Sequence, residues 1–358
     1  MLTIDSDAHV IESERTWSYL AESEKRFAPM VLQQLSGDFA RDNRGNLAKE
    51  FWMFNSQPQP KDRNIDTAGS STESREMANV ASRIKHMDEL DIDVQVLYPT
   101  IFLAPCTREA DGEFALVRAY NRWLADIWKA SNNRLRWAAM VPFYSMDKVR
   151  DELEFAKANG ACAVFIRPFE AERNVQEAYF YPLWQAASDL DLAMTFHAGN
   201  ASFANHGFHA GHNFGAFKLS MIASFHGLLE YEVPKRFPKL RWAFIEACAS
   251  WVPYALIDAE KRLKRKGRRL DADPLKDNNI WVTIETTDDI PYVINRVGDD
   301  NLVIGTDYGH TDTSAQIEAL RLLKENGKVA RATVDKILGP NATKLYGLTL
   351  NGGSAGRG

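Results

Sequence analysis

The sequence predicts a closed (β/α)8 barrel of the TIM type, and three observations predict it. Short apolar runs recur along the chain, amphipathic stretches of helical period separate them, and metal- or anion-binding side chains stand at the ends of several runs. The runs are residues 2–4, 94–98, 137–141, 162–166, 193–196, 242–245, 280–284 and 302–304. Between them lie helix-period stretches such as 114–130, 148–158, 181–190, 217–229, 251–263 and 314–323. Strands that alternate with helices need right-handed crossovers and therefore a parallel sheet. Eight such units close into a barrel more readily than they extend an open sheet.

One long interruption breaks the alternation. Residues 12–72 carry Gly37, Gly45, Pro58, Pro60 and Gly69 and little periodicity, so they read as an insertion after strand one, with a lid as its expected role. Residues 1–350 are expected to form a single domain, and 351–358, NGGSAGRG, a frayed tail.

Composition narrows the function classes. Of 358 residues, 45% are apolar and 25% charged, which excludes disordered, collagenous and coiled-coil chains. A net charge of −5 offers no basic excess for nucleic acid or a membrane surface, and the basic run 261–269 reads as the solvated end of a helix. Cys106, Cys162 and Cys248 form neither a disulfide framework nor a CxxC pair, as in a reducing compartment. The start MLTIDSDAHV is no signal peptide, and no apolar run approaches the roughly 20 residues of a membrane span. A soluble cytoplasmic protein is expected.

The position of the polar residues carries the chemistry. Strand one runs into Asp7 and His9, with Glu12 just beyond; strand four ends at Arg167, strand five at His197, strand six at Glu246 and strand eight at Asp307. Residues i and i+2 of a strand share a face, so Asp7 and His9 point the same way. Barrel strands converge at their carboxyl ends, which brings these groups to one mouth. Carboxylates gathered in a buried site repel one another unless a cation joins them, and a mixed imidazole and carboxylate set suits zinc, manganese or iron.

These residues carry a resemblance. The segments IDSDAHV (4–10), FIRP (165–168), TFHAG (195–199), RFPKLRWAFIEACASWVP (236–253) and IGTDYGH (304–310) resemble, in order and over nearly the whole chain, the amidohydrolase-related superfamily. The branch is the one that holds aminocarboxymuconate semialdehyde decarboxylase and the resorcylate-type decarboxylases. The resemblance implies metal ligands at Asp7, His9, His197 and Asp307. Two positions depart from it. Arg167 replaces the carboxylated lysine of many binuclear members, and Glu246 replaces the acid/base histidine of the decarboxylases.

The surplus of carboxylates resembles a group within the same superfamily that has carboxylate-rich dinuclear non-haem iron centres. That group is known from aminoisobutyrate and diterpenoid metabolism, and the resemblance implies two iron ions, dioxygen and C–H hydroxylation. Glu12 and Glu246 are then expected at the second ion. Of the loop histidines His206, His209, His212 and His226, the last, beside Gly227, is the expected added imidazole. Glu246, Asp307 and His310 are the expected catalytic groups, and His86 is expected to be solvated. A mononuclear zinc or manganese hydrolase or decarboxylase is the alternative, and a metal-free binding module stands last. Arg167 and Trp251 are expected to bind the substrate, a small molecule with an anionic group and an apolar body. Tyr98, Phe169, Phe203, Phe208 and Tyr308 are further candidate wall residues. A homo-oligomer is the default assembly.

Overall fold

A computed structural model describes residues 2–33, 50–55, 57–61, 64–199, 202–209, 212 and 214–349. The side chain of His206 and the tail 351–358 lie outside the described residues. Eight parallel strands form one sheet: β1 (Ile4–Val10), β2 (Val94–Pro99), β3 (Leu135–Ala139), β4 (Ala161–Ile166), β5 (Ala193–His197), β6 (Trp242–Ile245), β7 (Ile280–Ile284) and β8 (Leu302–Ile304). Each pairs with its neighbour in chain order, and the ends meet. His9 N–H donates to the Tyr308 carbonyl at 2.9 Å and Asp307 N–H to the Asp7 carbonyl at 2.8 Å, which joins the end of β8 back to β1. The fold is the expected (β/α)8 barrel.

All eight apolar runs fall on strands or at their edges. The first differs most, because β1 extends from the predicted 2–4 to Val10 through the polar residues Asp5, Ser6, Asp7 and His9. These side chains are buried, and a polar stretch in a central strand has to find most of its partners inside the protein. Asp5 does so fully. Its carboxylate accepts from Thr306 N–H at 2.9 Å, the Thr306 hydroxyl at 2.6 Å and Gln95 Nε2 at 2.8 Å, which ties β1 to β2 and to the end of β8.

Crossover helices surround the sheet: α1 (Val80–Glu89), α2 (Ala110–Ala130), α3 (Val149–Ala158), α4 (Tyr181–Asp189), α5 (Ser220–Glu230), α6 (Val252–Arg265) and α7 (Ile290–Val297). Each turns one apolar stripe to the barrel, as Leu116, Ala119, Trp123 and Ile127 do on α2. Trp137, Trp184, Trp242 and Trp281 are fully buried in the core. Between β1 and α1, residues of the low-periodicity segment form an antiparallel sheet of Met30–Gln33, Glu50–Phe54 and Gln57–Pro60. Its Trp52 and Phe54 pack edge-on against Trp17, with ring centroids 5.8 and 5.6 Å apart.

Candidate metal centre

At the carboxyl ends of the strands, three overlapping groups of side chains offer ligand atoms within 4.8 Å of one another: Asp7, His9 and His197; His9, Asp307 and His310; and Glu246, Asp307 and Asp312. All but Asp312 are almost fully buried. His9 Nε2 stands 3.3 Å from both Asp7 Oδ1 and Asp307 Oδ1. His197 Nε2 lies 3.1 Å from Asp7 Oδ1, and His310 Nδ1 lies 2.7 Å from Asp307 Oδ1. The His9 and His310 rings stack at 3.8 Å.

Backbone geometry turns the carboxylates inward. Glu246 and Asp307 sit at φ +60° and +52°, in the left-handed region that a non-glycine residue enters at a cost of about 1–2 kcal/mol. Glu246 directly follows β6 and Asp307 lies three residues past the end of β8, and the reversal lets each side chain enter the mouth. The surrounding bonds hold the reversal in place. Lys218 Nζ donates to the Glu246 carbonyl at 2.6 Å and to Ser314 Oγ at 2.8 Å, and reaches Glu285 Oε1 at 3.3 Å. Thr283 Oγ1 accepts from Glu246 N–H at 2.9 Å.

His9 and His310 each have one ring nitrogen tied to the protein and the other without a partner, while His197 is tied at both, with Nε2 3.1 Å from Asp7 Oδ1. His9 Nδ1 donates to the Pro99 carbonyl at 2.9 Å, and His197 Nδ1 to the Ala198 carbonyl at 2.9 Å. Carbonyl oxygens only accept, so both Nε2 atoms carry lone pairs. The Thr100 hydroxyl donates to the Val10 carbonyl at 2.8 Å, so it accepts from His310 Nε2–H at 2.9 Å and leaves His310 Nδ1 bare. The unpartnered nitrogens of His9 and His310 face the oxygens of Asp7 and Asp307. This is how ligating histidines are oriented by the groups behind them.

Several buried atoms here have no hydrogen-bond partner: His9 Nε2, His310 Nδ1, Glu246 Oε2 and both Asp307 oxygens. An orphaned buried polar atom is costly, and five that converge on one volume are a ligand set awaiting a cation. The residues therefore fit a divalent metal. The electrostatics agree. Burial and then the charge of Asp312 push the Glu246 and Asp307 carboxyls well above the usual range. Burial also raises Asp7, but His197 and His9 outweigh it and hold that carboxyl below its usual range. Asp312 is held at about 2, burial being outweighed by His310 and by a hydrogen bond with Glu246. His9 and His310 are pushed down, chiefly by burial, and stay neutral as ligands must be.

Other expected site residues fall elsewhere. His226 is not brought to the mouth, which corrects its expected role as an added imidazole. On α5 its neighbour Phe225 packs inward against Phe244, and one residue along a helix turns by about 100°. His226 therefore faces outward, with Nε2 3.0 Å from Asp258 and Nδ1 3.5 Å from Glu230. Glu12 is buried near the site but outside the three ligand groups; its carboxylate accepts from Ile101 N–H at 2.9 Å and Thr100 N–H at 3.2 Å. Arg167 is corrected as a substrate anchor. It forms a buried pair with Glu170, with Nη2 to Oε2 at 2.6 Å and Nε to Oε1 at 2.9 Å, and its Nη1 donates to the Phe102 carbonyl. Trp251 donates to the Ala247 carbonyl and stacks edge-on with Phe225 in the outer layer, away from the cavity. His86 is half-buried rather than solvated, because its Nδ1 lies 2.7 Å from the Tyr308 hydroxyl.

Sequence reasoning missed Asp312, Lys218 and Thr100. Asp312 had one available signal, the spacing Asp307-x-x-His310-x-Asp312, which gathers three possible ligands on one loop. A cavity of about 570 Å³ opens over Glu246 and Asp312, lined also by Lys218, Phe214, Phe217, Ile101 and Leu103. Gln59, Pro60, Lys61 and Asn64 add to its wall.

A barrel whose mouth gathers metal-type ligands from β1, β5 and the ends of β6 and β8 defines a class, and comparison with known proteins names it. The amidohydrolase family model matches residues 4–348, so the chain belongs to the amidohydrolase family. Among solved structures, an amidohydrolase from Mycobacterium avium subsp. paratuberculosis K-10 is similar at 20% identity, covering 98% of each chain with a TM-score of 0.77. The 5-carboxyvanillate decarboxylase of Sphingomonas paucimobilis is similar at 15% identity, covering 97% of this chain and 99% of its own, with a TM-score of 0.70. That of Novosphingobium aromaticivorans, complexed with manganese and 4-hydroxy-3-methoxy-5-nitrobenzoic acid, is similar at 18% identity, covering 97% and 96%, with a TM-score of 0.68. At these identities the likeness is one of fold. No curated protein matches the chain. Among the described residues, no helix is long and apolar enough to cross a membrane.

Proposed function

We propose that this chain is a metal-dependent oxidoreductase with a carboxylate-rich two-ion centre, filled by iron, that uses dioxygen to hydroxylate a C–H bond of a small molecule. The observation that carries this reading is the third ligand group, Glu246, Asp307 and Asp312, set beside the histidine-rich group and linked to it through Asp307. Asp7, His9 and His197 would hold one ion, Glu246 and Asp312 the other, with Asp307 and His310 between them. A pair of iron ions supplies the electrons that activate dioxygen, and anionic ligands favour its oxidised form. Hydroxylation by one dioxygen consumes two further electrons and two protons and releases water, so an external reductant belongs to the reaction.

The chain's own residues prepare the site. Pro99, Ala198 and Thr100 fix the tautomers of the three imidazoles. Lys218 holds the Glu246 turn. Ile101, Leu103, Phe214 and Phe217 give the cavity above an apolar wall. His9, His197 and His310 each turn their second nitrogen to a site carboxylate, as metal ligands would, rather than to the cavity where an acid/base would act.

A second reading is favoured by one specific observation, the manganese bound by the Novosphingobium decarboxylase. Here a single manganese or zinc ion at Asp7, His9 and His197 serves non-oxidative decarboxylation or hydrolysis, with protonated Glu246 as the acid. Metal analysis and oxygen uptake decide between the two. In the first case the chain carries about two ions, and Glu246→Gln lowers that towards one and stops oxygen consumption. One ion per chain in both proteins, with no oxygen uptake, leaves the decarboxylase or hydrolase reading.

A further inference from the structure

The cavity over Glu246 and Asp312 has a composition that selects its ligand. Of its described lining residues, Lys61 and Lys218 are the cations, and both are spent. Lys61 Nζ pairs with Glu14 at 3.0 Å and lies 4.4 Å over the Trp52 ring. Lys218 has the Glu246 carbonyl, Ser314 and Glu285 as partners. Asn64 donates to Asp312 at 2.8 Å and accepts from Thr311 N–H, and the Thr100 hydroxyl is used on both sides. Arg167, the one other strand-end cation, is sealed against Glu170 and does not line the cavity. The floor offers no surplus positive charge either, because the carboxylates of Asp7, Glu246, Asp307 and Asp312 balance two divalent ions.

What remains among the described lining residues is an apolar wall and a few uncharged polar groups, the hydroxyls of Thr311, Thr313 and Ser314 and the Gln59 side-chain carbonyl. A cavity of about 150 Å³ accommodates a single benzene ring, whereas this one measures about 570 Å³. We propose that the cavity takes an uncharged, largely apolar molecule of more than one ring's bulk, which offers hydroxyl or carbonyl groups to the rim. The proposal deepens the two-ion reading and rests on it for the charge balance of the floor. Among the described residues an anionic ligand would find no unpaired cation to replace its hydration, and a charge desolvated in that way binds weakly.

A matched pair of fluorescent probes tests this on the full-length, metal-loaded protein. N-phenyl-naphthylamine is neutral, and anilinonaphthalene sulfonate carries nearly the same skeleton with one negative charge. The neutral probe is expected to bind saturably at one site, at least roughly tenfold more tightly than the sulfonate. Ala104→Trp and Thr313→Trp, which project bulk into the cavity from two sides, should each weaken it by a similar factor. A sulfonate bound as tightly as the neutral probe overturns the charge selection. Neutral-probe binding indifferent to both tryptophans overturns the cavity as its site. Metal stoichiometry is read separately: a single ion per chain with the probe preference intact removes the two-ion reading and leaves the ligand class standing.

Discussion

The Thr100 hydroxyl joins β1 to the loop after β8. It donates to the Val10 carbonyl at 2.8 Å and accepts from His310 Nε2 at 2.9 Å, which leaves His310 Nδ1 bare beside Asp307. Thr100→Val keeps the volume and removes the acceptor, so His310 is free to carry its proton on Nδ1. Losing a group that orients a ligand in this way costs about 10–100-fold in metal affinity. Equilibrium dialysis with manganese should show a loss of that order, and an unchanged affinity would remove His310 from the ligand set.

His226→Ala should leave metal content as it is. Its ring lies between Glu230 and Asp258 on the outer side of α5, away from the three ligand groups. A fall in bound metal, measured on the purified variant, would place His226 at the centre after all.

These two variants mark how far the sequence was legible. Runs of Val, Ile, Phe and Trp located the barrel strands because burial on both faces demands continuous apolar residues. Asp7, His9, His197, Glu246 and Asp307 were readable because each lies in or just beyond the carboxyl half of a strand, and barrel strands converge there. His226 misled because the neighbouring Gly227 suggested close backbone approach, whereas the phase of α5, set by Met221, Phe225 and Leu228, points the ring outward. Lys218 was hidden for the opposite reason. It stands in a widened helical turn, Gly215–Leu219, whose wider spacing breaks the period that sequence reading relies on. Thr100 acts through contacts far apart in the chain, with Val10 and His310, which no local pattern records.

The pair Arg167 and Glu170 has a third neighbour, Glu113, whose carboxyl is pushed up to about 8 by burial, offset partly by the Tyr144 N–H it accepts and raised further by Glu170. The folded protein therefore keeps this proton to higher pH than the unfolded chain, whose glutamates titrate near 4.5. Folding is favoured by that retained proton below the unfolded value, and the advantage is lost as pH rises towards 8. Glu113→Gln keeps the shape without the charge, so it should flatten the decline in stability between about pH 4.5 and 8 and be the more stable protein at the upper end. Urea unfolding at a series of pH values checks this. Parallel curves for the two proteins would mean that Glu113 is ionised at no cost in the fold.

Lys218 is the cation that serves the carboxylate side of the mouth when no metal is bound. Its ammonium touches the end of β6 through Glu246, the end of β7 through Glu285 and the loop after β8 through Ser314. Burial lowers the affinity of this lysine for its proton, but Glu246 and Glu285 outweigh burial and keep it charged. Removing one partner of a fully buried ion pair costs about 3–5 kcal/mol. The 19% exposure of Lys218 and Glu285 brings screening, which reduces the expectation for Lys218→Met to about 1–3 kcal/mol. The loss should depend on metal. In chelated protein, Glu246, Asp307 and Asp312 lose their remaining nearby counter-charge, and the reversed backbone at Glu246 loses the donor on its carbonyl. In loaded protein the ions supply the charge, so only the backbone contact is lost. Thermal unfolding of the wild type and Lys218→Met, each with and without a chelator, should give the larger drop in Tm for the chelated pair. Lys218→Arg, which keeps the charge, should recover part of it. Equal drops with and without chelator would show that Lys218 acts as a mechanical tie between strand ends and not as the counter-charge of the carboxylates.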